Sequence, residues 1–334
     1  MDRRPTSTIS FDRSAGLTTM KTGKDPKKIL VLTAFAVAIA VLICFCTVII
    51  AEIVYKVAGE PEQKPNNSAG DIKYENAAFS SSDVNKGDLI LVKEGFDYVD
   101  TSSADGRVEI RASKNDSYMV NSGVFVNASV MQSINAFLAA QKAATGCDDV
   151  QITSAYRTEQ KQAENHEKWD DEPSKNASEH RIGNCFDVNL YDGEGTYELN
   201  DNEAVDTWMK ANAHKYGFVD RYPDSKKDIT DVEHDWTMTV RTTHFRYVGY
   251  AHAYYMYKNA LCLEEYLELL SANYKYNGEH LRFVGDDGNS YEVYYVEAKG
   301  GETKVPVPTN YEYSVSGDNI NGFIVTVYLS SPAN

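Results

Sequence analysis

Apolar residues change their spacing along the 334-residue chain, and each spacing predicts a different kind of element. From 29 to 50 the run is uninterrupted and carries no charged residue. About 20 apolar residues in a helix span the hydrocarbon core of a bilayer. A helix apolar on every face does not suit the surface of a globular domain. The pattern therefore predicts a transmembrane helix over 29–53. Further along, Val130, Ile134, Phe137 and Leu138 recur at i, i+4, i+7, i+8, which predicts a helix over 127–145 closed by Gly146. Residues 159–168, 202–216 and 261–270 also read as helices. Short apolar or alternating runs at 89–92, 108–111, 150–153, 186–190, 218–222 and 244–248 read as strands. Beyond Asn277 the style changes to short strands, at 281–284, 291–296 and 323–328, separated by Gly, Asp and Asn turns.

The expected fold is α+β: a mainly antiparallel central sheet with flanking helices, a small C-terminal β appendage and one N-terminal transmembrane helix. Its expected segments are a basic tail (1–28), the membrane span (29–53), a stalk (54–76), the main domain (77–272) and the appendage (273–334). Gly59, Pro61, Pro65 and Gly70 mark the stalk as flexible. Arg3, Arg4, Arg13, Lys21, Lys24, Lys27 and Lys28 precede the span, and such a positive flank belongs in the cytoplasm. The expected location is thus the cell membrane, single-pass, with the C-terminal bulk outside. A cleaved signal peptide is the rival reading. The apolar run is longer than a usual signal core, and no small-residue cleavage site follows it.

Charge narrows the partners. A formal net charge of −16 argues against nucleic acid, which requires a basic face. Of five cysteines, Cys44 and Cys46 lie in the apolar run. Cys147, Cys185 and Cys262 lie outside it, so at most one disulfide can form among those three.

The candidate chemistry lies in two segments. Ser178-Glu179-His180-Arg181-Ile182-Gly183-Asn184-Cys185-Phe186-Asp187 sets a His and an Asp seven positions apart across a Gly. His244-Phe245-Arg246-Tyr247-Val248-Gly249 places a second His at the head of an aromatic and β-branched run. Two imidazoles and one carboxylate can hold Zn²⁺ with a fourth position open, as catalytic zinc sites do. Taken singly, each is more often a hydrogen-bonded structural residue than a metal ligand. His166 opens an H-E-x-x-D sequence, which is not a zincin helix. His214, His252 and His280 read as surface or packing residues.

The pattern S-x-H-x-x-G-x-x-x-D followed by H-x-R-Y-V-G resembles the VanY-like D-Ala-D-Ala carboxypeptidases, zinc peptidases of bacterial peptidoglycan. Ser154-Ala155-Tyr156-Arg157-Thr158, with Gln162 shortly after, resembles their S-x-Y-R element, in the same order along the chain. The resemblance implies Zn²⁺ held by His180, Asp187 and His244, and a peptidoglycan stem peptide as substrate. It implies that Arg157 stabilises charge at the scissile carbonyl or on a substrate carboxylate, and that Ser178 and Gln162 contact substrate. Cys185 occupies a position where the family usually has a small Ala-like residue. It reads as a buried small thiol, with zinc ligation as the alternative.

The chain departs from the pattern at the general base. The family places a Glu three residues before the last zinc-binding His, and here that residue is Arg241. A guanidinium cannot accept a proton near neutral pH. Glu233 lies upstream, followed by Trp236, and can serve if residues have been inserted before His244; Asp235 is the reserve. The expected function is a membrane-anchored, extracytoplasmic carboxypeptidase that trims the terminal D-alanine of stem peptides, D,D- or L,D-cleaving. The alternative is a zinc-containing protein that binds peptidoglycan without cutting it.

Overall fold

The computed structural model describes residues 71–100, 106–169, 172–230 and 243–332. The basic tail, the membrane span, most of the stalk, and Glu233, Asp235 and Arg241 lie outside the described residues. Among the described residues no helix is long and apolar enough to cross a membrane.

The chain is a mixed α+β structure built on a six-stranded sheet. Its strands are β3 (Met119–Val120), β5 (Val150–Ser154), β6 (Cys185–Tyr191), β9 (Thr243–Tyr247) and β8 (Phe218–Asp220) in spatial order, with β7 (Thr196–Tyr197) also on β6. Only the β3–β5 pair is parallel. Successive side chains of a strand point to opposite faces, and this sheet uses the alternation fully. Phe186 and Val188 of β6 and Phe245 of β9 face one way and are wholly buried. They pack on helices α1 (Met131–Thr145) and α3 (Glu203–Asn212) through Ile134, Phe137, Leu138, Val205 and Met209. Burying one such side chain contributes roughly 1.5–3 kcal/mol. Cys185, Asp187, His244 and Arg246 point to the opposite face, where the candidate chemistry lies.

Helix boundaries follow the local signals. Thr158 caps α2 (Glu159–Lys168) by accepting from the Lys161 amide, and Asn202 caps α3 by accepting from Val205. Gly146 closes α1 in the left-handed region at φ 70°.

The C-terminal strands form a second sheet, in the order β10 (Leu281–Val284), β11 (Ser290–Glu297), β14 (Gly322–Pro332), β13 (Tyr311–Gly317). Their core includes Ala253, Tyr255 and Met256 of α4 (Tyr250–Lys258) and Tyr266, Leu267 and Leu270 of α5 (Leu263–Asn273), with Leu89 and Leu91 from the N-terminal side. In addition, β1 (Tyr74–Ser80) runs antiparallel to β12 (Glu302–Pro308), so residues 74–76 of the stretch expected to be stalk belong to a strand. The sequence from 89 to 92 is buried as expected but forms no strand. The Leu91 amide donates to the Asp318 carbonyl, and Arg246 takes the carbonyls of Asp88 and Ile90. The alternation at 108–111 splits into β2 (Arg107–Glu109), paired with β4 (Phe125–Asn127), and a helical turn, Ile110–Ser113.

Candidate active site

The site assembles where β5, β6 and β9 lie side by side. Ser154 is opposite Asp187 across one ladder and His244 is opposite Asp187 across the other. His180 comes from a 3-10 turn, Glu179–Arg181, just before β6. Two contacts pin that turn. The Arg157 amide donates to the His180 carbonyl at 3.0 Å, and the Asn127 side chain donates to the Ile182 carbonyl at 3.1 Å. Gly183 permits the return into β6. Its φ is +89°, and a Cβ there would meet Asn127 Oδ1 at 2.7 Å.

Asp187 is the centre of the arrangement. Its Oδ2 lies 3.0 Å from His180 Nε2 and 3.2 Å from an Arg157 Nη; its Oδ1 lies 2.7 Å from His244 Nδ1. All three metal-ligand candidates are buried, the two imidazoles edge to face with centroids 4.9 Å apart. Each ring is held from behind. His180 Nδ1 lies 2.5 Å from the Ala155 carbonyl, and His244 Nε2 lies 3.2 Å from Glu179 Oε2. With N–H groups donated to those two acceptors, the opposite ring nitrogens present lone pairs to the same carboxylate. Two lone pairs and a carboxylate converging in a buried place call for a cation. Either a metal ion or extra protons supply it, and the donor set of two nitrogens and an oxygen fits a divalent ion such as Zn²⁺.

The titration behaviour carries the same signature. Burial and Arg157 both oppose a charged His180, yet Asp187 and Cys185 lift it to about 9. Burial likewise opposes charge on His244, and Cys185, Asp187 and Glu179 raise it well above the ordinary imidazole range. Against burial, His180 and His244 hold the Asp187 carboxyl well below its usual range. Cys185, also against burial, is drawn down to about 6 by the same two imidazoles.

A second layer of charge supports the first. Glu179 is fully buried; its Oε1 takes the Arg221 Nε at 2.8 Å and an Arg246 Nη at 3.2 Å. Glu264 of α5 meets Arg221 from the other side at 2.9 Å. Arg221, Arg246 and His244 keep the Glu179 carboxyl below its ordinary range in spite of its burial. Two guanidiniums thus face two carboxylates.

The VanY family pattern, described as D-alanyl-D-alanine carboxypeptidase, matches residues 124–250. The chain is 31% identical to a bifunctional D-Ala-D-Ala dipeptidase and D-Ala-D-Ala carboxypeptidase, VanXYC of Enterococcus gallinarum, over 38% of this chain and 72% of that protein. It belongs to the VanY family. A D-alanyl-D-alanine carboxypeptidase of Enterococcus faecium is 27% identical over 81% of this chain and 85% of that protein. Among solved structures, the vancomycin resistance D,D-dipeptidase VanXYg, in complex with a D-Ala-D-Ala phosphinate analogue, superposes with a TM-score of 0.65 at 25% identity. It covers 77% of this chain and 99% of that one.

The structure brings His180, Asp187, His244 and Arg157 together. Gln162 is fully buried and turned toward Arg157 rather than outward. Its amide oxygen accepts from the Arg157 guanidinium at 3.1 Å, and its nitrogen donates to Glu172 and to the Pro173 carbonyl. Arg157 also donates to Ser154 Oγ at 2.9 Å and to Glu172 at 2.8 Å, so four side chains fix it. Ser178 is buried at the head of the turn that carries His180. Glu233 lies outside the described residues. Sequence reasoning overlooked Glu179, Arg221, Arg246 and Glu172. The period-2 alternation of β9 puts Arg246 on the His244 face, and a buried guanidinium there demands a carboxylate; Glu179, next to His180, is the one within reach.

Proposed function

We propose that the chain is a membrane-anchored, extracytoplasmic zinc carboxypeptidase that releases the terminal D-alanine from peptidoglycan stem peptides. The observation that carries this reading is Asp187, held between two buried imidazoles whose opposite nitrogens are engaged. That donor set suits His180 Nε2, His244 Nδ1 and Asp187 as ligands to Zn²⁺. When bound, the ion supplies Lewis acidity toward a peptide carbonyl and an attacking water. The chain's own groups do the rest. Arg157, rigidly held at the edge of the site, stabilises negative charge on the carbonyl oxygen or receives the substrate carboxylate. Gln162 and Glu172 orient it. Ser178 shapes the substrate side of the metal turn. Glu233 is the proposed general base, with Asp235 in reserve. Family membership supports D-alanine-terminated substrates, and the apolar run at 29–53 supports the anchor.

A second reading, peptidoglycan binding without cleavage, is favoured by Arg241, which stands where a base is expected. Mass spectrometry of pentapeptide and tetrapeptide stems incubated with the full-length protein and zinc separates the two. The proposal expects loss of one alanine, and the stem that loses it distinguishes D,D- from L,D-cleavage. Glu233→Gln should keep zinc and lose roughly 10²–10⁴-fold in turnover. A zinc-loaded protein that releases alanine from neither stem is the result expected for the binding protein.

A further inference from the structure

We propose that Trp169 is a sugar-binding platform beside the site, on which the glycan end of a peptidoglycan substrate stacks while the stem peptide enters the metal centre. The inference rests on the peptidoglycan reading and adds a subsite to it. Two of the described residues are tryptophans, and the fold uses them differently. Trp208 packs flat against Phe137 of the main core, with ring centroids 6.1 Å apart. Trp169 joins none of the hydrophobic clusters and is 44% exposed. A single exposed apolar side chain is ordinary. What sets Trp169 apart is how it is held and what it adjoins. Its amide donates to the Asn165 carbonyl at 2.9 Å, at the end of α2, and its carbonyl accepts the Glu172 amide at 3.2 Å. Lys168 Nζ lies 4.2 Å from the indole centroid, a cation–π contact that occupies one ring face and leaves the other for a ligand.

Glu172 leads from Trp169 into the site. Its Oε2 takes Arg157 at 2.8 Å and Gln162 at 3.1 Å. A glutamate spans about 5 Å from amide to carboxylate, which puts the Trp169 carbonyl within about 11 Å of the Arg157 guanidinium and the indole within roughly 16 Å. In a peptidoglycan stem, three or four residues separate the scissile bond of the terminal D-alanine from the sugar. Extended, they span roughly 10–14 Å. The sugar of a bound stem can therefore reach the indole. The chemistry matches as well. A pyranose ring presents a flat face of C–H groups, and an indole offers a large, flat apolar face with an electron-rich surface. A ring fixed at its backbone loses little conformational freedom when such a ligand stacks on it.

The test compares two substrates on the zinc-loaded full-length protein. One is a stem linked to its disaccharide of N-acetylglucosamine and N-acetylmuramic acid; the other is the same stem without sugar. Pentapeptide and tetrapeptide stems are both used. Where a stem is cleaved the readout is KM. Where neither is cleaved it is Kd by calorimetry, so failure of the catalytic reading still leaves the platform tested. Wild type should favour the disaccharide-linked stem by about tenfold or more, the size of one aromatic anchor. That ratio should fall to about one in Trp169→Ala and persist in Trp169→Phe. It should also persist in Tyr197→Ala, which removes another aromatic side chain of 44% exposure. No preference in wild type, or a preference kept in Trp169→Ala, overturns the proposal. An equal loss on both stems in Trp169→Ala also overturns it, because that marks a structural effect passed through Glu172 to Arg157. Wild type that neither cleaves nor binds either stem overturns the peptidoglycan reading along with it.

Discussion

Replacing Glu179 with Gln removes one negative charge from a wholly buried position. Arg221 and Arg246 have fully buried side chains, and both reach Glu179 Oε1, while His244 Nε2 reaches its Oε2. Gln keeps the volume and some hydrogen bonds but leaves Arg221 with Glu264 alone and takes from Arg246 the carboxylate it contacts. Breaking a buried pair by removing one partner costs about 3–5 kcal/mol. For a domain of this size each kcal/mol moves the midpoint by about 2–4 °C, so Tm should fall by roughly 6–20 °C. A separate effect falls on the metal. Glu179 fixes the His244 tautomer and ring direction, and losing such a supporting carboxylate costs about 10–100-fold in metal affinity. The two effects are read apart: Tm by calorimetry with the metal chelated, and zinc affinity by competition with a chromophoric chelator. Glu264→Gln is the control. It touches Arg221 but no imidazole, so it should lower Tm less and leave zinc affinity unchanged. Equal zinc affinity in wild type and Glu179→Gln would refute the reasoning, whatever the change in Tm.

Three further outcomes are expected. His252 bridges the Tyr266 and Thr326 hydroxyls at 2.8 Å each, and burial pushes it down to about 3. Its folded pKa is therefore below the unfolded value of about 6.5, so its contribution is complete above pH 6.5 and lost as pH falls below it, by about 2 kcal/mol at pH 5. Urea unfolding of metal-free protein at pH 7 and pH 5 should show this slope flattened in His252→Gln; identical slopes would contradict it. Gly183→Ala should destabilise by about 1–3 kcal/mol, because a left-handed residue gains a Cβ against Asn127, and weaker zinc binding should accompany the shift of His180. Arg157→Lys should retain zinc but lose roughly 10²–10³-fold in kcat, since an ammonium cannot reproduce the fixed fork; unchanged steady-state kinetics would remove Arg157 from the reaction.

The legible parts of the chain were those where one local signal sufficed. The stripe through Val130, Ile134, Phe137 and Leu138 marked α1, and Gly146 and Gly217 marked ends that the structure closes with φ of 70° and 82°. The His180, Asp187 and His244 segments could be read because their spacing is local to two short motifs. What was hidden depends on long-range partners. Helix α4, with the sequence YAHAYYMYK, has aromatic and small residues around its whole circumference and shows no apolar stripe, since it is buried between α5 and the second sheet. Strand β1 pairs with a segment more than two hundred residues away, so nothing near Tyr74 announced it. Glu179 looked like an ordinary acidic residue beside a ligand, because its two guanidinium partners arrive from β9 and from the loop after β8. The run at 89–92 was apolar enough for a strand, but its backbone bonds to a loop and to Arg246 instead of to a ladder.

The central claim is that His180, Asp187 and His244 hold a zinc ion in a peptidase of this family. Elemental analysis of the purified full-length protein, expressed with zinc and dialysed against metal-free buffer, tests it most directly. Wild type should hold about one zinc per chain and a folded His180→Ala/His244→Ala double variant none, because the remaining donors hold zinc poorly. Equal zinc content in the two proteins, or none in either, would contradict it.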